Sequence, residues 1–199
     1  MNAPRARLLL WIGVTAAVFL MCWQASGALL PFSIGALIAY AVVPKPPTYH
    51  RTTYFEFALP PGWVCVREGT ETVCRPDIPP PHDAVIIFTA KIRNESDNLA
   101  AYKDHVSKPK KRTERDGKEH DSEVVRYGEQ AIGEYHWIDA LHLGSEIANY
   151  YTRYLATTTA QLGVLITFSA HKSKLDERTK EFKACVESLR IYQSPSRYN

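Results

Sequence analysis

The chain has 199 residues, with 24 Lys or Arg against 21 Asp or Glu and a formal net charge of +3. Between Lys108 and His120 stand six Lys or Arg and three Asp or Glu, a surplus equal to that of the whole chain. A basic charge confined to one stretch, with no nucleic-acid-binding motif beside it, argues against a nucleic-acid partner.

From Leu8 to Val43 there is no Asp, Glu, Lys, Arg or His. As one helix this run would extend roughly 54 Å, against a hydrocarbon core of about 30 Å. Gln24-Ala25-Ser26-Gly27 breaks it into two apolar segments near spanning length, about 6–25 and 28–43. Pro31 stands near the start of the second, and Pro44, Pro46 and Pro47 close it. Gly13 with Ala17 and Gly35 with Ala39 form two small-xxx-small faces that fall at matching depths if the chain folds back at Ser26-Gly27. The expectation is a transmembrane helical hairpin over residues 1–44. A single span followed by an interfacial helix is the alternative, and the second apolar segment argues against a cleavable signal peptide.

The sequence Pro31-Phe32-Ser33-Ile34-Gly35-Ala36-Leu37-Ile38-Ala39-Tyr40-Ala41-Val42-Val43-Pro44, after an apolar helix and a basic N-terminus, resembles the opening helices of the autoinducer exporter family. The resemblance implies two membrane-embedded helices with a cytoplasmic N-terminus. The family's remaining helices have no counterpart, so transport activity does not carry over.

Residues 45–48 form a short Pro-rich linker that holds the next domain close to the bilayer. Residues 49–192 read as one α+β domain, and 193–199 as a tail. Alternation at Phe55, Phe57 and Leu59 predicts a strand with one buried face, ended by Pro60-Pro61-Gly62. Residues 63–67 and 71–75 predict a hairpin whose turn is Gly69-Thr70, with Gly first as a type II′ turn prefers. A strand over 85–92 leads to a short helix capped by Ser96, with Leu99, Tyr102 and Val106 on one face. Strands follow over 123–131, 135–143, 147–157 and 162–170. A closing helix spans about 174–189, opened by the capping-box pattern Ser173-x-x-Asp176. The order predicts an antiparallel sheet with helices packed on one face.

Phe55-Glu56-Phe57-Ala58-Leu59-Pro60-Pro61-Gly62-Trp63 and Val186-Glu187-Ser188-Leu189-Arg190-Ile191 resemble the opening and closing of the PsbP-like fold, shared with a Ran-binding nuclear import factor. The resemblance implies a non-catalytic binding or assembly domain. It assigns no partner, because fold alone does not.

Among candidate sites, Cys65 and Cys74 are the most specific signal. A Gly69-Thr70 turn pairs residues whose numbers sum to 139, which sets Cys65 opposite Cys74 within disulfide reach. Two reduced thiols are the alternative if the compartment is reducing. Lys108, Lys110, Lys111 and Arg112 are candidates for contact with anionic lipid or an acidic partner, against the plainer reading of a solvated loop. Tyr151 with Arg153 is a candidate recognition surface on an aromatic strand. The seven histidines are scattered, and His136 and His142, on one strand face, lie ~20 Å apart, too far to share a metal. The spacing predicts no catalytic, cofactor or metal site.

These readings point to a non-enzymatic, membrane-anchored binding or accessory subunit of a larger membrane assembly, with lipid and another membrane protein or a second copy as partners. The alternatives are a transport-related subunit acting through the exporter-like helices, and an enzyme with an unrecognised site. The expected location is a bacterial inner membrane. Arg5, Arg7, Lys45 and Arg51 flank the ends of the hairpin, which tips the domain to the cytoplasmic side. A disulfide, or a single crossing, would place it outside.

Overall fold

The computed structural model describes residues 47–114 and 117–192. The expected spans at 6–25 and 28–43, with Gly13, Ala17, Gly35 and Ala39, and the tail lie outside them. Among the described residues no helix is long and apolar enough to cross a membrane.

The chain forms β1 (Thr48–Arg51), β2 (Phe55–Leu59), β3 (Trp63–Glu68), β4 (Glu71–Pro76), β5 (Ala84–Ile92), α1 (Leu99–Val106), β6 (Lys111–Thr113), β7 (Glu119–Asp121), β8 (Glu123–Ile132), β9 (Tyr135–Leu143), β10 (Tyr150–Thr158), β11 (Leu162–His171), α2 (Leu175–Glu187) and β12 (Arg190–Ile191). Seven strands make one sheet in the order β3-β4-β5-β11-β10-β9-β8, and β1-β2-β12 make a second of three. The large sheet is two meanders, β3 to β5 and β8 to β11, joined where β5 pairs antiparallel with β11 from Ala84↔Ala170 to Ile92↔Leu162. This is the α+β architecture with a mainly antiparallel sheet that the element order predicts.

The register sets which residues share a face, because side chains alternate along every strand. Cys74, Ile86, Phe88, Leu155, Ile166 and Phe168 fall on one side, called here the inner face. The small sheet and α2 pack on it. Phe57 stacks on Phe88 with ring centroids 4.1 Å apart, and Phe168 on Phe182 at 4.5 Å. Each of these four rings is essentially fully buried. At about 1.5–3 kcal/mol per buried large side chain, they supply much of the cohesion of this layer.

The outer face is covered differently. A second apolar cluster joins Val106 of α1 to Ile138, Ala140, Tyr154 and Ala156, with Leu99, Tyr102 and Leu165 packed around it. Ile138, Ala140, Tyr154 and Ala156 are the alternate positions of β9 and β10, so α1 and α2 lie on opposite faces. The expectation of helices on one face is therefore corrected. The cause is topological: the chain leaves β5 in the middle of the sheet and must cross to the far edge to start β8, which it does over the outer face.

Three local expectations also shift. Helix α1 is capped by Asn98, whose Oδ1 accepts the Ala101 N–H at 2.9 Å, while Ser96 bonds to Asn94. At α2 the Ser173 hydroxyl pairs with His171 Nδ1 at 2.8 Å in a preceding 3-10 turn, so the capping box does not form. Strand β10 begins at Tyr150, since Asn149 adopts φ 63° at the end of a turn. The Gly69 turn matches its prediction: Gly69 has φ 63° and Thr70 is not left-handed, as a type II′ turn requires.

Glycine is sterically required at one position of the outer face. A Cβ on Gly163 would collide with the hydroxyl oxygen of Tyr102, whose ring lies over it. Gly163→Ala is expected to destabilise the domain by roughly 1–3 kcal/mol in urea unfolding. In a Tyr102→Phe background, which removes the colliding atom, the cost is expected to shrink; an equal cost in both backgrounds contradicts the steric account.

Candidate functional site

Helix α1 covers β9, β10 and the Gly163–Leu165 part of β11 but leaves the outer side of β3, β4 and most of β5 without a helix among the described residues. Val64, Val66, Val73, Val85 and Ile87 make an apolar group there, beside the polar Glu68, Glu71, Arg75, Thr89 and Lys91. Val66 faces Val73, and Val73 faces Ile87 across the next pair of strands, so the three form one row. Val64 and Val85 flank that row. Val64 is 47% and Val66 50% exposed, and Val85 and Ile87 are half-buried. On an antiparallel sheet with one solvated face these positions are ordinarily polar. Val64 and Val66 in water, beside the buried Val73, are instead the mark of a contact surface.

Between this half-face and α1 lies a groove of about 210 Å³, lined by Thr89, Lys91, Tyr102, His105, Val106, Ala156, Gly163 and Leu165. Its rim is rigidly built. The Tyr102 hydroxyl donates to Asp97 Oδ1 at 3.0 Å, and Lys91 Nζ pairs with the same oxygen at 2.8 Å. Asp97 Oδ2 accepts the Asn94 N–H at 3.0 Å. The Lys91 ammonium, then the Asn94 amide, holds the Asp97 carboxyl below its ordinary range. Burial and the neighbouring carboxylate push the Tyr102 phenol up to about 12. At neutral pH the rim is thus a charged pair with a neutral phenol. None of these groups is poised for proton transfer, and their arrangement suits holding the apolar floor open.

Cys65 and Cys74 are joined by a disulfide, with Cα atoms 4.0 Å apart and Cys74 fully buried. It ties β3 to β4 on the inner face, directly behind the valine row. The buried Cys185 is a free thiol whose pKa is raised by burial.

The basic stretch is a two-stranded hairpin in which its cations are largely engaged. Lys108 pairs with Asp104 at 2.7 Å and Lys111 with Glu119 at 3.1 Å. Arg112 pairs with Glu114 at 2.9 Å and donates to the Gly144 carbonyl at 3.2 Å, while Lys110 Nζ donates to the His105 carbonyl at 2.6 Å. Tyr151 and Arg153 share the inner face of β10, and Arg153 is drawn into an ion pair with Asp139 through Nε at 2.8 Å and Nη2 at 3.2 Å. Sequence reasoning did not reach Asp139 or Arg126, which complete this cluster, nor Asp97 and Gly163 of the groove. The signal available was a charge at a strand position whose neighbours alternate inward.

His136 and His142 do not converge. His136 lies exposed beside Glu129 at 3.8 Å, whereas His142 is fully buried. Its Nε2 lies 2.7 Å from the Val106 carbonyl, which fixes the proton on Nε2, and Nδ1 then accepts from the Ser122 hydroxyl at 3.0 Å. Ser122 Oγ also accepts the Lys110 N–H at 2.8 Å. A Ser–His pair this enclosed, backed by a carbonyl rather than a carboxylate, staples the β6–β7 hairpin to the sheet and offers no reachable nucleophile. Among the described residues no three His, Cys, Asp or Glu side chains converge as metal ligands.

Burial lowers the His142 pKa, as it does at His50 and His105. In the folded state the imidazole stays neutral where the unfolded chain takes up a proton. Stability is therefore full above about pH 6.5 and falls as the pH drops toward the folded-state pKa. Urea unfolding between pH 7.5 and 5 is expected to show that decline. In His142→Gln the slope is expected to lessen by up to about 1.4 kcal/mol per pH unit, one proton's worth; an unchanged slope contradicts the assignment.

No protein-family model and no curated protein sequence matches the chain. Solved structures do. The chain is similar to cyanobacterial PsbP (CyanoP) from Synechocystis sp. PCC 6803, at 14% identity over 76% of this chain and 96% of that one, with a TM-score of 0.51. A protein from Bacteroides thetaiotaomicron matches at 16% identity and TM-score 0.49 over 70% of this chain, which spans 45% of that one. LpqN of Mycobacterium tuberculosis, described as involved in cell envelope biogenesis, matches at 10% identity and TM-score 0.46 over 77% of this chain and 88% of its own. The likeness to CyanoP shows that the α+β domain following residue 46 has the PsbP-like fold.

Proposed function

We propose that this chain is a membrane-anchored, non-enzymatic accessory subunit, whose PsbP-like domain docks a second membrane protein through the open apolar half of its outer face. The observation that carries this reading is the row Val66, Val73 and Ile87 flanked by Val64 and Val85, beside a groove whose rim is held rigid by Asp97. The uncharged run at Leu8–Val43 serves as the anchor, and its likeness to the opening helices of exporters supports a segment suited to packing against other membrane helices. The Pro-rich linker keeps the domain within a few residues of the bilayer, where its partner must also lie. The enclosed Ser122–His142 pair offers no reachable nucleophile, which favours binding over catalysis.

The bridged Cys65–Cys74 pair favours an oxidising compartment and reverses the balance that the flanking basic residues set. The domain then sits on the extracytoplasmic side, reached by a single crossing.

Two outcomes are expected. Val66→Asp, at a half-exposed site, is expected to leave thermal unfolding of the chain nearly unchanged. The same variant is expected to release the chain from its higher-mass assembly in native electrophoresis of gently solubilised membranes. An assembly of unaltered size contradicts the docking face. In intact cells an impermeant maleimide is expected to label the partly exposed Cys65 after reduction and not before. Labelling that requires permeabilisation contradicts the extracytoplasmic placement.

A further inference from the structure

The valine row ends at β3, an edge of the large sheet with no strand beyond it among the described residues. Which backbone groups lie open on that edge follows from the hairpin. The Gly69-Thr70 turn closes at Glu68↔Glu71, a hydrogen-bonded pair, and the pairs alternate from there. Val66↔Val73 and Val64↔Arg75 therefore exchange hydrogen bonds, while Arg67↔Thr72 and Cys65↔Cys74 do not. The Cα atoms of Cys65 and Cys74, 4.0 Å apart, have the short separation of a non-hydrogen-bonded pair. Two further bonds agree. The Gly62 carbonyl accepts the Asp77 N–H on the β4 side at 2.7 Å, and the Trp63 N–H turns the other way, to the Pro60 carbonyl at 3.2 Å. The N–H and C=O of Cys65 and Arg67, with the C=O of Trp63, thus point outward from the sheet.

The opposite edge is built differently. Strand β8 is broken by a bulge between Val124 and Arg126 and carries Glu123, Arg126 and Glu129, devices that keep an edge from pairing. From Trp63 to Val66, β3 has no charge, no proline and no bulge. Its side chains on the outer face there, Val64 and Val66, are the half-exposed ones.

We propose, resting on the reading of this face as a docking surface, that its partner is a second copy of this chain, paired antiparallel through β3 about a two-fold axis at Cys65. A two-fold normal to the sheet keeps inner face beside inner face, so only registers that oppose positions of like face are allowed. Centred on Cys65, Val64 lies opposite the second copy's Val66, and Val66 opposite its Val64. These are non-hydrogen-bonded positions of the new pair, where side chains approach closest. The row Ile87, Val73, Val66 is then continued by the second copy's Val64. The two Cys65 N–H groups donate to each other's carbonyls across the axis, and each Arg67 N–H donates to the Trp63 carbonyl of the other copy. One register thus meets both the open backbone groups and the exposed valines. Centring on Val64 leaves Val66 against Gly62, centring on Val66 sets Val64 against Glu68, and centring on Arg67 brings two guanidiniums together. The contact is short, and confinement of both copies to one bilayer by their anchors raises its effective concentration.

The test uses the full chain in phosphatidylcholine vesicles, as copies labelled at the N-terminus with donor or acceptor, with energy transfer followed as the lipid-to-protein ratio is raised. Saturable transfer is expected for the unaltered chain. Arg67→Pro removes an N–H that a single copy does not use, and is expected to leave thermal unfolding nearly unchanged. It is expected to weaken self-association about tenfold, through one lost hydrogen bond on each side of the axis. Arg67→Ala, which keeps the N–H, is expected to weaken it by less. Val64→Asp disrupts the pairing independently and is expected to abolish transfer, whereas Val125→Asp, on the β8 edge, is expected to leave it unchanged. p-Benzoylphenylalanine in place of Val64, in a mixture of isotopically light and heavy chains, is expected to give mixed-isotope crosslinks into residues 65–67 of the other copy. No transfer by the unaltered chain, indifference to either Arg67→Pro or Val64→Asp, or crosslinks to other proteins alone would each overturn the second copy as partner. In any of these cases the docking face still stands if Val66→Asp releases the chain from its assembly in native membranes, and falls with the proposal if it does not.

Discussion

The pairing of β5 with β11 is the constraint on which the rest of the domain depends. It joins two meanders that are each local in sequence, and it does so in one register from Ala84↔Ala170 to Ile92↔Leu162. A slip of a single residue would turn Phe88, Ile166 and Phe168 away from Phe57 and Phe182. The aromatic stacks of the inner face and the pairing register therefore enforce each other. Because the partners are far apart in sequence, forming this seam is also the entropically costly step of folding.

Once the seam is fixed, the distribution of cover follows. The chain has one crossover between the meanders and one return after β11, and these take opposite faces. Neither helix is long enough to shield a seven-stranded sheet by itself. The inner face gains the three-stranded sheet as additional cover, whereas the outer face has α1 and the small β6–β7 hairpin held by His142 and Ser122. What stays open is the apolar half of the outer face.

Much of the fold was legible where the determinants are local. The Gly69-Thr70 turn fixed its own register and hence the Cys65–Cys74 pairing, and alternation located the long strands. Legibility ended where tertiary context chose between local options. Asn98 outcompeted Ser96 as the cap because Asn94 already engages Ser96, and His171 captured Ser173 before it could cap α2. The faces taken by the two helices depended on strand order, which no short window of sequence carries. Arg153 was readable as a functional candidate, but its partner Asp139 lies on a different strand, and the joint charge of Arg126, Arg153 and Asp139 emerges only when β8, β9 and β10 are side by side. The cationic hairpin was the opposite case. Its charge stood out in the sequence, and in the fold most of it is spent on neighbouring carboxylates and carbonyls.

The account rests on the open half of the outer face being covered by a membrane protein in the cell. Site-specific photocrosslinking from p-benzoylphenylalanine in place of Val66, in native membranes, tests this directly, with the same group in place of Lys180 on α2 as the reference. The account predicts a discrete crosslinked species containing a second membrane protein from position 66 and none from position 180. Crosslinking to lipid or to nothing from position 66, or an equal yield from both positions, would contradict it.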